Sequence, residues 1–248
     1  MQIGSRVALR LVLLVAPLLV VAAPSQAIQF TLDVSVGGVS AGSLNAGQLG
    51  CVDGANFTAT CSAQNLAVGD LLITNLDLFL DSDPVVSGEV AVQNIGLVTN
   101  QFTLVFTLIT GPIGAPTTLT GGSVAGGVTD NDGTGATLST VPGSAFYSAL
   151  IDGVTHQMLF PHSTVLNAPA FDSADLVPPG AFGTPIPSQA GPAVVNSIGL
   201  QYDFNLTAQD AASFTGVFVV QPIPEPSTAL LLGLGLALVI VAKGGRRR

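Results

Sequence analysis

Between Leu11 and Ala242 the chain contains no lysine and no arginine. All 6 basic residues sit at its two ends, Arg6 and Arg10 at the start and Lys243, Arg246, Arg247 and Arg248 at the finish. All 15 Asp and Glu, from Asp33 to Glu225, fall inside the cation-free stretch, so the formal net charge of -9 averages over parts of opposite sign. Binding to nucleic acid through Lys and Arg on its phosphates is therefore excluded for the body. Internal Arg–carboxylate pairs are excluded too, which leaves apolar burial and backbone hydrogen bonds to hold it together. Charged residues are 8% of the chain, against about 25% in ordinary soluble proteins, which argues against a cytosolic enzyme. Tryptophan is absent and tyrosine numbers 2, so the aromatic platforms that stack on sugars are scarce.

What is present at the ends explains the uneven charge. Met1 to Ala27 has the three parts of a secretory signal peptide: Arg6 and Arg10, then an apolar run from Leu11 to Ala23, then small residues before a cut. Ser25-Gln26-Ala27 places cleavage after Ala27. Ala23 is a second possible point, disfavoured because Pro24 would then follow the cut. Pro17 and the lack of any polar face argue against a core helix here.

At the other end, Pro222-Ile223-Pro224-Glu225-Pro226-Ser227-Thr228 leads into an uncharged run from Ala229 to Ala242, followed by Lys243 and a terminal arginine cluster. As a helix at about 1.5 Å per residue the run spans about 21 Å, short of a hydrocarbon core of about 30 Å. Ser227, Thr228 and a snorkelling Lys243 bring it close to spanning, and the arginines favour a cytoplasmic tail. This Pro-Glu-Pro, apolar helix and basic cluster closely resembles the PEP-CTERM sorting signal of Gram-negative bacteria. The stretch from Leu206 to Phe214 and the strand from Phe214 to Val220 also look like the end of many such bodies. The resemblance implies export, retention in the inner membrane, and processing by the membrane protease exosortase near Pro224, Glu225, Pro226 and Ser227. It also implies an exopolysaccharide or biofilm setting. Ile223 stands where valine is more usual, and the apolar run is short.

Residues 28–221 form the body between the signal peptide (1–27) and the sorting signal (222–248, with its apolar helix at 229–242). The body shows no sustained helical period. Gln29 to Val36 and Gln101 to Thr110 alternate apolar and polar side chains, the signature of half-buried strands. Further strands are predicted at Leu71–Leu80, Gly88–Val98, Thr117–Val128, Ala145–Ile151, Val154–Phe160, Val194–Leu206 and Ser213–Val220. Asp152-Gly153 marks a two-residue hairpin, because a type I′ turn needs φ > 0 at both central positions. The pattern predicts an all-β fold, a single antiparallel β-sandwich of jelly-roll or Ig-like type, flanked by the N-terminal signal helix and a C-terminal transmembrane helix. Thr120 to Gly135 reads as a weak edge strand or a loop. Pro161 to Pro192, proline-rich and without strand pattern, reads as a lid over one end or as an extended segment wrapping the sheet.

Candidate chemistry is sparse. Cys51 and Cys61 are the only cysteines, and in an exported, oxidised chain they are expected to form a disulfide closing a small loop. Asp130, Asp132 and Thr134 stand at the first, third and fifth positions of a calcium-loop pattern with Gly135 sixth. Val141 stands twelfth, where a bidentate carboxylate belongs, so an EF-hand is excluded. A partial Ca2+ site completed by other loops and a plain Asx-type turn both fit. Asp81 and Asp83 with Glu89 form a second acidic loop. Gly38-Val39-Ser40-Ala41-Gly42 matches a nucleophile elbow, but no helix follows it. His156 and His162 have no partners at metal-ligand spacing.

The expected function is that of an exported cell-surface or extracellular-matrix protein, sorted by exosortase and associated with exopolysaccharide, with no catalysis and no cofactor of its own. The secretion translocon, exosortase and, transiently, the inner membrane are its expected partners. A carbohydrate- or Ca2+-binding module is the alternative, and a secreted hydrolase the third reading.

Overall fold

The computed structural model describes residues 28–223 and Leu234. Among these residues the body is all-β. Each of the nine segments expected from the sequence becomes a strand: β1 (Phe30–Val36), β5 (Leu71–Asp81), β6 (Val85–Asn94), β7 (Asn100–Ile109), β8 (Ile113–Thr129), β10 (Ala145–Ile151), β11 (Val154–Pro161), β16 (Ser197–Leu206) and β17 (Ala211–Pro222). Eight more were not anticipated: β2 (Val39–Asn45), β3 (Cys51–Asp53), β4 (Thr58–Val68), β9 (Ala136–Thr140), β12 (Val165–Ala168), β13 (Ser173–Asp175), β14 (Gly180–Phe182) and β15 (Gln189–Val194).

All pairings are antiparallel and fall into two sheets. The first runs β11-β10-β16-β7-β1-β2, with β9 also on β16 and β12 on β9. The second runs β13-β8-β17-β6-β5-β4-β3, with β14 and β15 also on β8. The alternating apolar residues decide which faces meet. Phe30, Leu32 and Val34 of β1 and Phe102, Leu104, Phe106 and Leu108 of β7 are buried, with Leu32 opposite Phe106. Across the interior Tyr202 of β16 stacks on Phe214 of β17 with ring centroids 4.9 Å apart, and Phe204 approaches the same ring at 5.0 Å. These aromatics join the two sheets face to face in one hydrophobic core. The Asp152-Gly153 turn forms as expected, with φ of 51° and 75°, between β10 and β11.

The glycine-rich and proline-rich segments explain each other. Thr120 to Gly135 contributes most of β8, a strand of 17 residues that is paired on both sides rather than left at an edge. On one side lies β17; on the other lie β13, β14 and β15 in succession, drawn from Pro161 to Pro192 apart from the last two residues of β15. The proline-rich segment therefore wraps the sheet. Its prolines cannot donate to a continuous ladder, so it covers the edge in short pieces. Glycines in β8 make the room. A Cβ on Gly122 would lie 2.5 Å from Tyr147 Oη and 2.7 Å from the Phe182 ring.

Strand direction sorts the loops into two ends. β1 leaves Ile28 and β17 delivers Pro222 to the same end, where Ile28, Phe57, Ser82 and Ile109 line one cleft and Val220 N–H donates to the Pro84 carbonyl. The opposite end carries Asp130, Gln209, Asp210 and the Ile95–Val98 loop. The 12 residues of β17 separate the two ends by about 40 Å at about 3.3 Å per residue.

Candidate functional site

At the end remote from the termini, the β8–β17 register sets Thr129 opposite Ala211. The next residue out on each side is an aspartate, Asp130 after β8 and Asp210 before β17, and both are buried. Asp132, exposed, completes a group in which one carboxylate oxygen from each residue lies within 4.8 Å of the other two. Asp130 accepts three backbone N–H groups: Phe171 at 2.6 Å and Gly133 at 2.9 Å on Oδ2, and Gly135 at 3.0 Å on Oδ1. The Phe171 bond leads in holding its carboxyl below the usual range, against the opposing effect of burial. Asp210 is displaced the other way. Burial pushes its carboxyl up, and the neighbouring Asp130 adds to that, although the Thr207 hydroxyl and Asn131 N–H both donate to it.

The arrangement supports two kinds of chemistry. A carboxyl with a raised pKa beside a carboxylate with a lowered one can share a proton, and three carboxylate oxygens this close can ligate a hard cation such as Ca2+. Of the residues expected from the sequence, Asp130 and Asp132 are brought together. Thr134 takes part through its backbone N–H, which donates to Asp132 Oδ1 at 2.9 Å in an Asx turn. Asp210 had no local signal, since only sheet register brings it beside Asp130.

The other candidates are dispersed. Asp81 accepts the Asp83 N–H at 2.9 Å in a second Asx turn, whereas Glu89 lies well along β6 opposite Asp77. Ser40 lies within β2, opposite Ser35, and β2 runs on to Asn45 as a strand. His162 is exposed. His156 Nε2 is 3.0 Å from Thr120 Oγ1, which itself donates to the Gln189 carbonyl at 3.2 Å. Burial holds His156 toward its neutral form. Cys51 and Cys61, directly opposite in β3 and β4, are joined as a disulfide.

At the other end, Pro222 pairs with Thr118 as the last residue of β17. Pro224, Glu225, Pro226 and Ser227, the expected apolar helix at 229–242 apart from Leu234, and Ala27 with the rest of the expected signal peptide lie outside the described residues. Residues 222–248 match the family model of the PEP-CTERM protein-sorting motif. The chain carries a PEP-CTERM sorting signal. Its processing partner is accordingly exosortase, and before processing the protein is exported and held in the membrane. No curated protein matches the chain. Among the described residues no helix is long and apolar enough to cross a membrane. The PEP-CTERM signal begins on the final strand itself, since Pro222 belongs both to β17 and to the matched stretch.

Proposed function

We propose that this PEP-CTERM protein passes the translocon, loses its signal peptide after Ala27, is anchored through 229–242 and cut near Pro224 to Ser227. It then serves as a non-catalytic structural component of the cell surface or extracellular matrix, associated with exopolysaccharide. One observation carries the reading: both termini of the body leave from one end, and the sorting signal starts at Pro222. The linker 223–228, even fully extended at about 3.5 Å per residue, reaches only about 20 Å. Until the cut, the tether keeps this end of the body within about 20 Å of the membrane. Its carboxylates, with no lysine or arginine among them, keep it dispersed by self-repulsion and open to bridging by divalent cations in an anionic matrix. The bonding of His156 and the strand setting of Ser40 support a body without a nucleophile.

The test is the intact mass and fractionation of the protein from its native host, with and without the sorting protease. A truncated species in the matrix fraction of wild-type cells is expected, and a membrane-bound chain ending in Arg248 when the protease is deleted. A wild-type chain ending in Arg248 would contradict processing. A truncated chain free in the medium, and not retained by the host exopolysaccharide with or without Ca2+, would contradict the matrix role.

The grouping of Asp130, Asp132 and Asp210 favours a second reading, a Ca2+-binding module. Thermal unfolding in EDTA and in millimolar Ca2+ decides it, since a calcium-independent melting temperature leaves the cluster as a proton-sharing turn.

A further inference from the structure

Ile28 is the first described residue and is nearly buried, 9% exposed. Its backbone nitrogen donates to Asp53 Oδ1 at 3.3 Å. Ile28 leads into β1 of the first sheet, whereas Asp53 ends β3 of the second, so the bond ties the sheets together at the end where the termini emerge. The disulfide holds the acceptor in place, because Cys51 begins the strand that Asp53 ends.

We propose that removal of the signal peptide after Ala27 turns this hydrogen bond into an ion pair between the new α-ammonium group of Ile28 and the Asp53 carboxylate, the only fixed cation of the mature body and its built-in receptor. The inference rests on the reading of Ala27 as the cleavage point. One water hydrolyses the Ala27–Ile28 amide, under a membrane peptidase that removes secretory signals. The carboxylate departs on Ala27, and the amino group left on Ile28 takes up a proton. The nitrogen need not move to find its partner, since the amide already points at Asp53.

Among the described residues the surroundings contain no lysine or arginine to compete. Phe57, Ser82, Ile109, Thr110 and Gly111, which share the cleft with Ile28, are uncharged. The ionisable groups on the elements around it are Asp53 on β3, Asp81 and Asp83 on either side of Ser82, and Asp33 further along β1. All are acidic, and all favour a charged amine. A cut after Ala23 would instead put the amino group on Pro24, four residues before Ile28, whose nitrogen is the one that meets Asp53.

The same lack of lysine makes the pair measurable, because the α-amino group is the only primary amine from the mature terminus to Ala242. The full chain, produced with its signal in an exporting Gram-negative host, is treated with acetic anhydride over a pH series. The N-terminal peptide, released by cleavage before Asp33, is then weighed. A terminus at Ile28 is expected, with the midpoint of acetylation about 0.5 to 1 pH unit above that of Asp53→Asn, and the difference shrinking in high salt. Inserting Gly-Gly between Ala27 and Ile28 moves the amine away and is expected to return the midpoint to the ordinary α-amino range of about 8 with Asp53 intact. A terminus at Pro24 or elsewhere overturns the cleavage point and the pair with it. A terminus at Ile28 whose midpoint is unmoved by Asp53→Asn, or by the insertion if that variant does not fold, overturns the pair and leaves export and sorting standing.

Discussion

Tyr147 of β10 donates its hydroxyl to the Val217 carbonyl of β17 at 2.7 Å, a hydrogen bond that crosses the interior from one sheet to the other. Burial, and secondarily the neighbouring Tyr202, push its phenol well above the ordinary range, so the donor proton stays in place under all ordinary conditions. Tyr147→Phe is expected to lower stability by about 1 to 2 kcal/mol, the net worth of one buried hydrogen bond. Gly122→Ala, which forces a Cβ against the same hydroxyl, is expected to cost about 1 to 3 kcal/mol by overpacking. Urea unfolding checks both, and an unchanged midpoint for Tyr147→Phe would show that the tie contributes nothing.

The Cys51–Cys61 bond closes a short loop at the edge of the second sheet. Its removal by reduction, or in a Cys51→Ser, Cys61→Ser double variant, is expected to cost about 2 to 3 kcal/mol in the loop-entropy account. Alkylation of the native unreduced protein is expected to add no label. Equal denaturation midpoints with and without reductant would contradict the stabilising role.

Stability is expected to depend on pH through aspartates shifted in opposite directions. Burial raises the Asp152 carboxyl, but N–H groups of Ser197, Val195 and Asn196, at 2.9, 2.9 and 2.6 Å, outweigh it and leave the group below its usual value. Asp130 is lowered as well. For both, the native state holds fewer protons than the unfolded chain, so their stabilisation is present above the ordinary carboxyl value of about 3.9 and is lost as pH falls through the folded value. Asp210 is raised, so its sign reverses: the native state holds more protons, and stability declines as pH climbs from about 3.9 through the raised value. Asp152→Asn is expected to flatten the acid limb of a plot of urea midpoint against pH. Asp210→Asn is expected to remove the decline on the less acid side. Identical profiles for wild type and variants would refute the assignment.

Trypsin offers a compositional check on processing. The exported, processed protein is expected to survive trypsin intact even in denaturant, because no cut point exists between Leu11 and Ala242. A chain that has lost residues 1–27 but keeps its sorting signal loses only its basic tail. A mass shift of the matrix-associated form on trypsin treatment would show that the tail had been retained.

The strands that were legible in the sequence are those with large alternating side chains, such as Phe102, Leu104, Phe106 and Leu108 on β7. The strands that were not legible are built from small residues. β2 reads VSAGSLN and β9 reads ATLST, so their place in the sheet comes from backbone pairing with a neighbour rather than from a pattern of their own. Gly121 and Gly122 in β8 lie in a stretch that reads as a weak edge strand or a loop, yet Pro187, Phe182 and Tyr147 pack close against them. Two of the three members of the acidic cluster were legible for the same reason that its turn forms, since Asp130 and Asp132 act locally on the N–H groups of their own loop.

By itself the sequence determined the PEP-CTERM sorting address, the separation of charge and the all-β character. Sorting machinery reads the chain as a linear segment in a membrane, and alternation along a strand is a property of neighbouring residues. Only the tertiary structure decided that Asp210 sits beside Asp130, that the proline-rich segment closes the edge of β8, and that Ile28 and Pro222 emerge together with Asp53 waiting at the first of them. Each depends on register between strands far apart in the chain, which is set by how the two inner faces pack and is written in no local stretch of residues.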